Sequence, residues 1–166
     1  MNGAHLHLIL NHLPIVGTYL SLLVLAFGFF RKNTVVQRTG LSLMVLSAIL
    51  AVPAFLTGEP AEDILEAGRF AGKSVIETHE EMAEFAMWIC EITGVLAAIA
   101  LMASIRNLKA GRMLTLIALL ASLVCSVMWF RVGNSGGEIR HTEIRSSQQN
   151  GNADQKSEDG EQKSEN

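Results

Sequence analysis

The sequence predicts an all-α protein: a four-helix transmembrane bundle of up-down-up-down topology with both termini on the outer side of the membrane. Three observations lead there. Four apolar runs, at about residues 6–30, 40–57, 81–104 and 113–131, match or approach the ~20 apolar residues that cross a hydrocarbon core of about 30 Å. Charged residues make up only 17% of the 166 positions, against about a quarter in a soluble domain, and they crowd between the runs. The connections alternate basic, acidic, basic, which orients the bundle. The runs leave room for one membrane domain, residues 1–145, and a polar tail.

The first run follows Met1-Asn2-Gly3-Ala4-His5, with no Lys or Arg before Arg31. It lacks the basic flank of a cleaved signal peptide and reads as a retained helix. The next connection holds Arg31, Lys32 and Arg38 without an acid, which places it in the cytoplasm. The second run is the shortest and ends at Thr57-Gly58-Glu59-Pro60, where Pro60 suits a first helical position. Residues 61–70 then form a turn or two of interfacial helix through Ile64, Leu65 and Phe70. Connection 58–81 carries Glu59, Glu62, Asp63, Glu66, Glu77, Glu80 and Glu81 against Arg69 and Lys73, and belongs outside. Thr78-His79-Glu80-Glu81 has the capping-box pattern, which starts the third helix at Thr78. Connection 106–112, with Arg106, Lys109 and Arg112 and no acid, returns to the inside. Arg131, Arg140 and Arg145 weigh the other way, and the two acid-free basic connections outvote them. From Ser146 onward no large apolar side chain occurs, so residues 146–166 are predicted to be disordered.

On this topology all five histidines lie toward the outer end. His5 and His7 read as interfacial residues meeting water. His12 lies about 10 Å deeper than His5, inside the run. Histidine within a membrane helix commonly faces the bundle and marks a functional site, and imidazole is a frequent metal and haem ligand. His12, His79 and His141 are therefore the candidate cofactor ligands, and Glu80 and Glu84 join them in a candidate metal set. The plainer role for each is a helix cap or an interfacial polar group.

Glu91 lies about 13 Å beyond Met82, near mid-bilayer, where a carboxyl is protonated, wetted or paired. Thr18, Tyr19, Ser42, Ser47 and Ser122 are its candidate partners, and Arg131 is a candidate partner for Glu84. A neutral, hydrogen-bonded Glu91 that fastens helices is the plainer reading. Gly17, Gly28 and Gly94, with Ala97, Ala98 and Ala100, would permit close helix contact. Trp129 suits an aromatic belt at the outer boundary, whereas Trp88 is too deep for one. Cys90 and Cys125 both fall inside runs and form no disulfide framework.

Four motifs carry a resemblance: Asn11-His12-Leu13-Pro14, Thr57-Gly58-Glu59-Pro60-Ala61-Glu62, His79-Glu80, and Gly136-Gly137-Glu138-Ile139-Arg140-His141. Over about residues 4–145 the chain resembles small bacterial four-helix integral membrane proteins of unknown function. That likeness implies a fold, a topology and a place in the bacterial cytoplasmic (inner) membrane rather than a reaction. A looser likeness is to b-type membrane cytochromes, in which histidines of a four-helix bundle hold haem. Cytochromes that carry electrons across the membrane hold haem near each face. This chain has no histidine near its inner face, so the likeness implies at most one haem b, near the outer surface.

Three readings follow. In the first, two of His12, His79 and His141 hold one haem b, which exchanges electrons with a quinone or a redox protein outside. In the second, the same histidines with Glu80, Glu84 or Glu59 bind a divalent transition metal in an accessory role. In the third, the protein is a structural or partner-binding subunit without a cofactor. A hydrolase is disfavoured, since no nucleophile elbow, zinc-protease helix motif or phosphate loop occurs. The basic residues form only short topogenic clusters, so nothing points to nucleic acid.

Overall fold

A computed structural model describes residues 3–67 and 72–141. Phe70 and the tail expected to be disordered lie outside these. Among the described residues the chain is helical throughout: α1 (Gly3–Leu10), α2 (His12–Phe30), α3 (Thr34–Leu56), α4 (Gly58–Ala67), α5 (Lys73–Ile105) and α6 (Gly111–Arg140). α2, α3, α5 and α6 form an up-down-up-down bundle in which each packs on the next and α2 closes the ring against α6. The short α1 and α4 pack on each other at one end, here the acidic end. The tight turns α2–α3 and α5–α6 make up the basic end.

Each boundary has a local cause. The first run breaks at Asn11 because Pro14 has no N–H for the carbonyl of Leu10, and its ring crowds that carbonyl. The two basic-end turns share one geometry. Lys32 and Asn107 take left-handed conformations (φ 54° and 52°). Behind them the N–H of Asn33 reaches the Gly28 carbonyl at 2.9 Å, and that of Leu108 reaches Ala103 at 2.9 Å. These bonds close each helix on its last carbonyls. Asn33 then caps α3, its side chain accepting from the N–H groups of Val35 and Val36.

The start of α5 corrects the sequence expectation. Thr78 is not an N-cap: its hydroxyl donates to the Ser74 carbonyl at 2.7 Å inside the helix, which begins at Lys73 after Gly72. Val75 and Ile76 are buried, so tertiary packing carries the helix past its local capping signal. The expected helix after Pro60 forms, with Gly58 at its start and Pro60 in its first turn.

The bundle reverses the pattern of a soluble protein. Its surface carries Leu23, Phe27, Phe30, Ile49, Trp88 and Phe130, all more than half exposed, while its centre holds Thr18, Ser21, Ser47, Thr93, Thr115 and Ser122 with alanines. An exposed apolar surface of that extent belongs in lipid. All four bundle helices are long and apolar enough to cross a membrane. Small residues set their spacing, as the sequence indicated: Gly17 packs on Ser47, Gly94 on Ala48, and Gly28 on Val36 and Gln37. Gly40 belongs with them, since a Cβ there would lie 2.7 Å from the backbone of Leu25. At the basic end Arg38 on α3 donates to the Ser104 hydroxyl of α5 at 3.0 Å. Trp129, expected at the boundary, turns inward instead and is 7% exposed.

Gly40→Ala forces α2 and α3 apart and should lower stability by about 1–3 kcal/mol, read as a lower thermal midpoint in detergent. Gly133→Ala, where nothing lies within 4 Å of the added carbon, serves as the control and should not lower it.

Candidate functional site at the acidic end

About 20 residues counted from Phe30 and Ile105 at the basic end reach Asn11, just before α2, and Ala86 on α5. α1 and the first turns of α5 form the acidic end of the bundle. His7 of α1 and His79 of α5 both lie at that end. Both imidazoles are half-buried and close enough for the charge of one to act on the other. Each rests near a glycine from another element. A Cβ on Gly136 would lie 3.1 Å from Cε1 of His79, and one on Gly58 would lie 3.8 Å from Cε1 of His7.

The hydrogen bonds fix the tautomers. Nδ1 of His7 lies 3.0 Å from the Ala54 carbonyl oxygen, which only accepts, so Nδ1 carries the proton. Nδ1 of His79 lies 2.9 Å from the Ser135 hydroxyl. That hydroxyl also lies 3.0 Å from the Val132 carbonyl oxygen, and a proton on Nδ1 of His79 lets the hydroxyl donate there, so this tautomer satisfies all three groups. Each ring is thus anchored through Nδ1 by a helix other than its own, which leaves the Nε2 lone pair for a ligand. Ligating histidines are oriented in this way, the second ring nitrogen donating to a carbonyl or comparable acceptor.

The other candidates lie differently. His12 is exposed, and its Nδ1 donates to the Leu8 carbonyl of the preceding turn at 2.9 Å. It still lies near enough to His7 to act on it electrostatically. His141 is the exposed C-cap of α6, its N–H bonded to the Gly137 carbonyl at 2.9 Å. Glu80 and Glu84 are exposed, and Glu84 makes no ion pair with Arg131, which is itself exposed. Among the described residues no three His, Cys, Asp or Glu side chains converge as a metal-binding group. Next to His79, α5 and α6 enclose a half-open groove of about 290 Å³ bordered by Thr78, Met82, Arg131, Asn134, Ser135 and Glu138.

Glu91 is partly buried, and its Oε1 has no hydrogen-bond partner. None of the hydroxyls expected to serve it bonds it: Thr18 Oγ1 has no hydrogen-bond partner, and three others are directed elsewhere. Tyr19 donates to the Ser126 carbonyl at 2.9 Å, Ser47 to Leu43 and Ser122 to Ala118 at 2.8 Å each, and Ser42 is exposed.

His7 and Ser135 were not legible as site residues. The available signal was Gly136, which sits in the last motif and makes space for the His79 ring.

Comparison of the chain with family models, with curated proteins and with solved structures returned no match. The fold itself defines the class: a multi-pass membrane protein built as a four-helix bundle.

Ring nitrogen NMR on selectively labelled protein should find both His7 and His79 as neutral Nδ1–H tautomers at alkaline pH. An Nε2–H signal for either would contradict the anchoring.

Proposed function

We propose that this protein holds a single b-type haem at its acidic end, ligated by Nε2 of His7 and His79. The acidic end faces outward, and the haem exchanges electrons there with a quinone or an outer-side redox protein. The observation that carries the reading is the pair of imidazoles on separate helices, each with Nδ1 anchored and Nε2 unbonded. Haem asks the protein for only two axial ligands because the porphyrin supplies four. A protein-bound divalent ion usually draws on three or four side chains, and no such group converges among the described residues. The pair thus favours haem over the divalent-metal reading. The outward orientation rests on the charges: Arg31, Lys32, Arg106, Lys109 and Arg112 mark one end and the acids of residues 58–81 the other.

The test is a reduced-minus-oxidised spectrum of the purified protein. A low-spin b-type band is expected for wild type and for His12→Ala. The band should be lost or converted to a high-spin form in His7→Ala and in His79→Ala. Absence of any haem band after expression with ample haem would end the proposal. An unchanged band in both of the latter variants would move the ligands elsewhere.

A further inference from the structure

Along one face of α6 the side chains change character in a fixed order. Leu116, Leu120, Leu123 and Val127 are apolar and exposed. Arg131, Asn134 and Glu138 continue that face toward the acidic end. Steps of three or four residues keep the whole series in one line on the helix. At 1.5 Å per residue Arg131 lies about 10 Å nearer the basic end than Glu138, and so nearer the membrane centre.

The same three polar residues border the half-open groove of about 290 Å³ between α5 and α6. That volume is close to the lower end of the ~300–1,000 Å³ of small-molecule sites. Its wall mixes the polar groups with Met82 and Phe130, and Phe130, 70% exposed, is shared with the lipid-facing surface. Two side chains of opposite charge therefore border the groove two helical turns apart without pairing. Arg131 is exposed, and no described acid forms an ion pair with it. Glu138 accepts from the Asn134 amide at 3.0 Å, a bond within α6 that orders the carboxylate beside the groove. A carboxylate can accept more than one such bond.

We propose that this groove binds the headgroup of a zwitterionic phospholipid of the phosphoethanolamine type, with an acyl chain along the apolar face of residues 116–127. The order of groups on the helix is the order of groups in that lipid: hydrocarbon, then phosphate, then ammonium. The Arg131 guanidinium meets the phosphate, to which it can donate two parallel bonds. The Glu138 carboxylate accepts from the terminal ammonium. A neutral quinone ring would leave both charges unmet, and an anionic headgroup would give Glu138 no cation. Neither His7 nor His79 takes part, so the outcome is independent of the haem proposal.

The full-length protein in neutral detergent is incubated with equimolar phosphatidylethanolamine and phosphatidylglycerol of matched chains, and retained lipid is counted by native mass spectrometry. One phosphatidylethanolamine per chain should be retained, at least about tenfold over phosphatidylglycerol, the scale of one charge-assisted hydrogen bond. Glu138→Gln should erase that preference, and Arg131→Gln should lower retention of both lipids. An arginine that only snorkels to any phosphate would hold the two lipids equally. Equal retention by the wild type would therefore overturn the proposal without reliance on any variant. So would a wild type that retains no lipid, displacement of the lipid by inorganic phosphate, or an undiminished preference in Glu138→Gln.

Discussion

The structure depends on how closely its helices can approach where no water drives them together. Lipid tails offer no hydrophobic incentive to bury leucine or phenylalanine, so the large apolar side chains face outward and dispersion between helix backbones becomes the main attraction. That attraction is short-ranged and requires small residues at every crossing. Gly17 against Ser47, Gly40 against Leu25 and Gly94 against Ala48 supply them. The serines and threonines along the same seams are tolerated because most turn their hydroxyls onto their own helix. A bundle made this way is tight at its centre, and polar side chains inside it stand out when no carbonyl of their own helix holds them.

At the acidic end the constraint changes. α1 and α4 pack on each other there, and side chains begin to bond across elements rather than within their own helix. Pro14 breaks the first helix and so sets the direction of α1, which brings His7 to the Ala54 carbonyl at the end of α3. The additional turns of α5 place His79 against Ser135. Two backbone events therefore create the pair: one missing N–H and one helix extended by the burial of Val75 and Ile76.

This explains which parts were legible in the sequence. Spans and topology follow from apolar length, which local arrangement does not disturb, and the glycine seams follow from residue size. The start of α5 was misplaced because Thr78-His79-Glu80-Glu81 satisfies a local capping rule that packing overrides. His12 attracted attention by its depth in the run, but it lies on one continuous outward face with His5, Ile9, Val16 and Leu20, and the ring emerges on the surface. Trp129 was placed by depth alone, which carries no information about azimuth, and it turned out to face the core. Which face of each helix turns inward was the quantity that depth in the run did not reveal.

The same distinction separates structural polar groups from functional ones in this fold. A hydroxyl bonded four residues back within its own helix is fully accounted for and adds little between helices. His7 and His79 are held through Nδ1 by other helices, and that ordering has no evident structural return, because the bundle is already closed by its glycine seams. Thr18, Glu91 and Trp129 keep polar atoms buried that no carbonyl of their own helix meets. Leaving a buried donor or acceptor unmet costs about 1–3 kcal/mol each. Side chains held from another helix therefore mark the site more directly than the residues the sequence makes conspicuous.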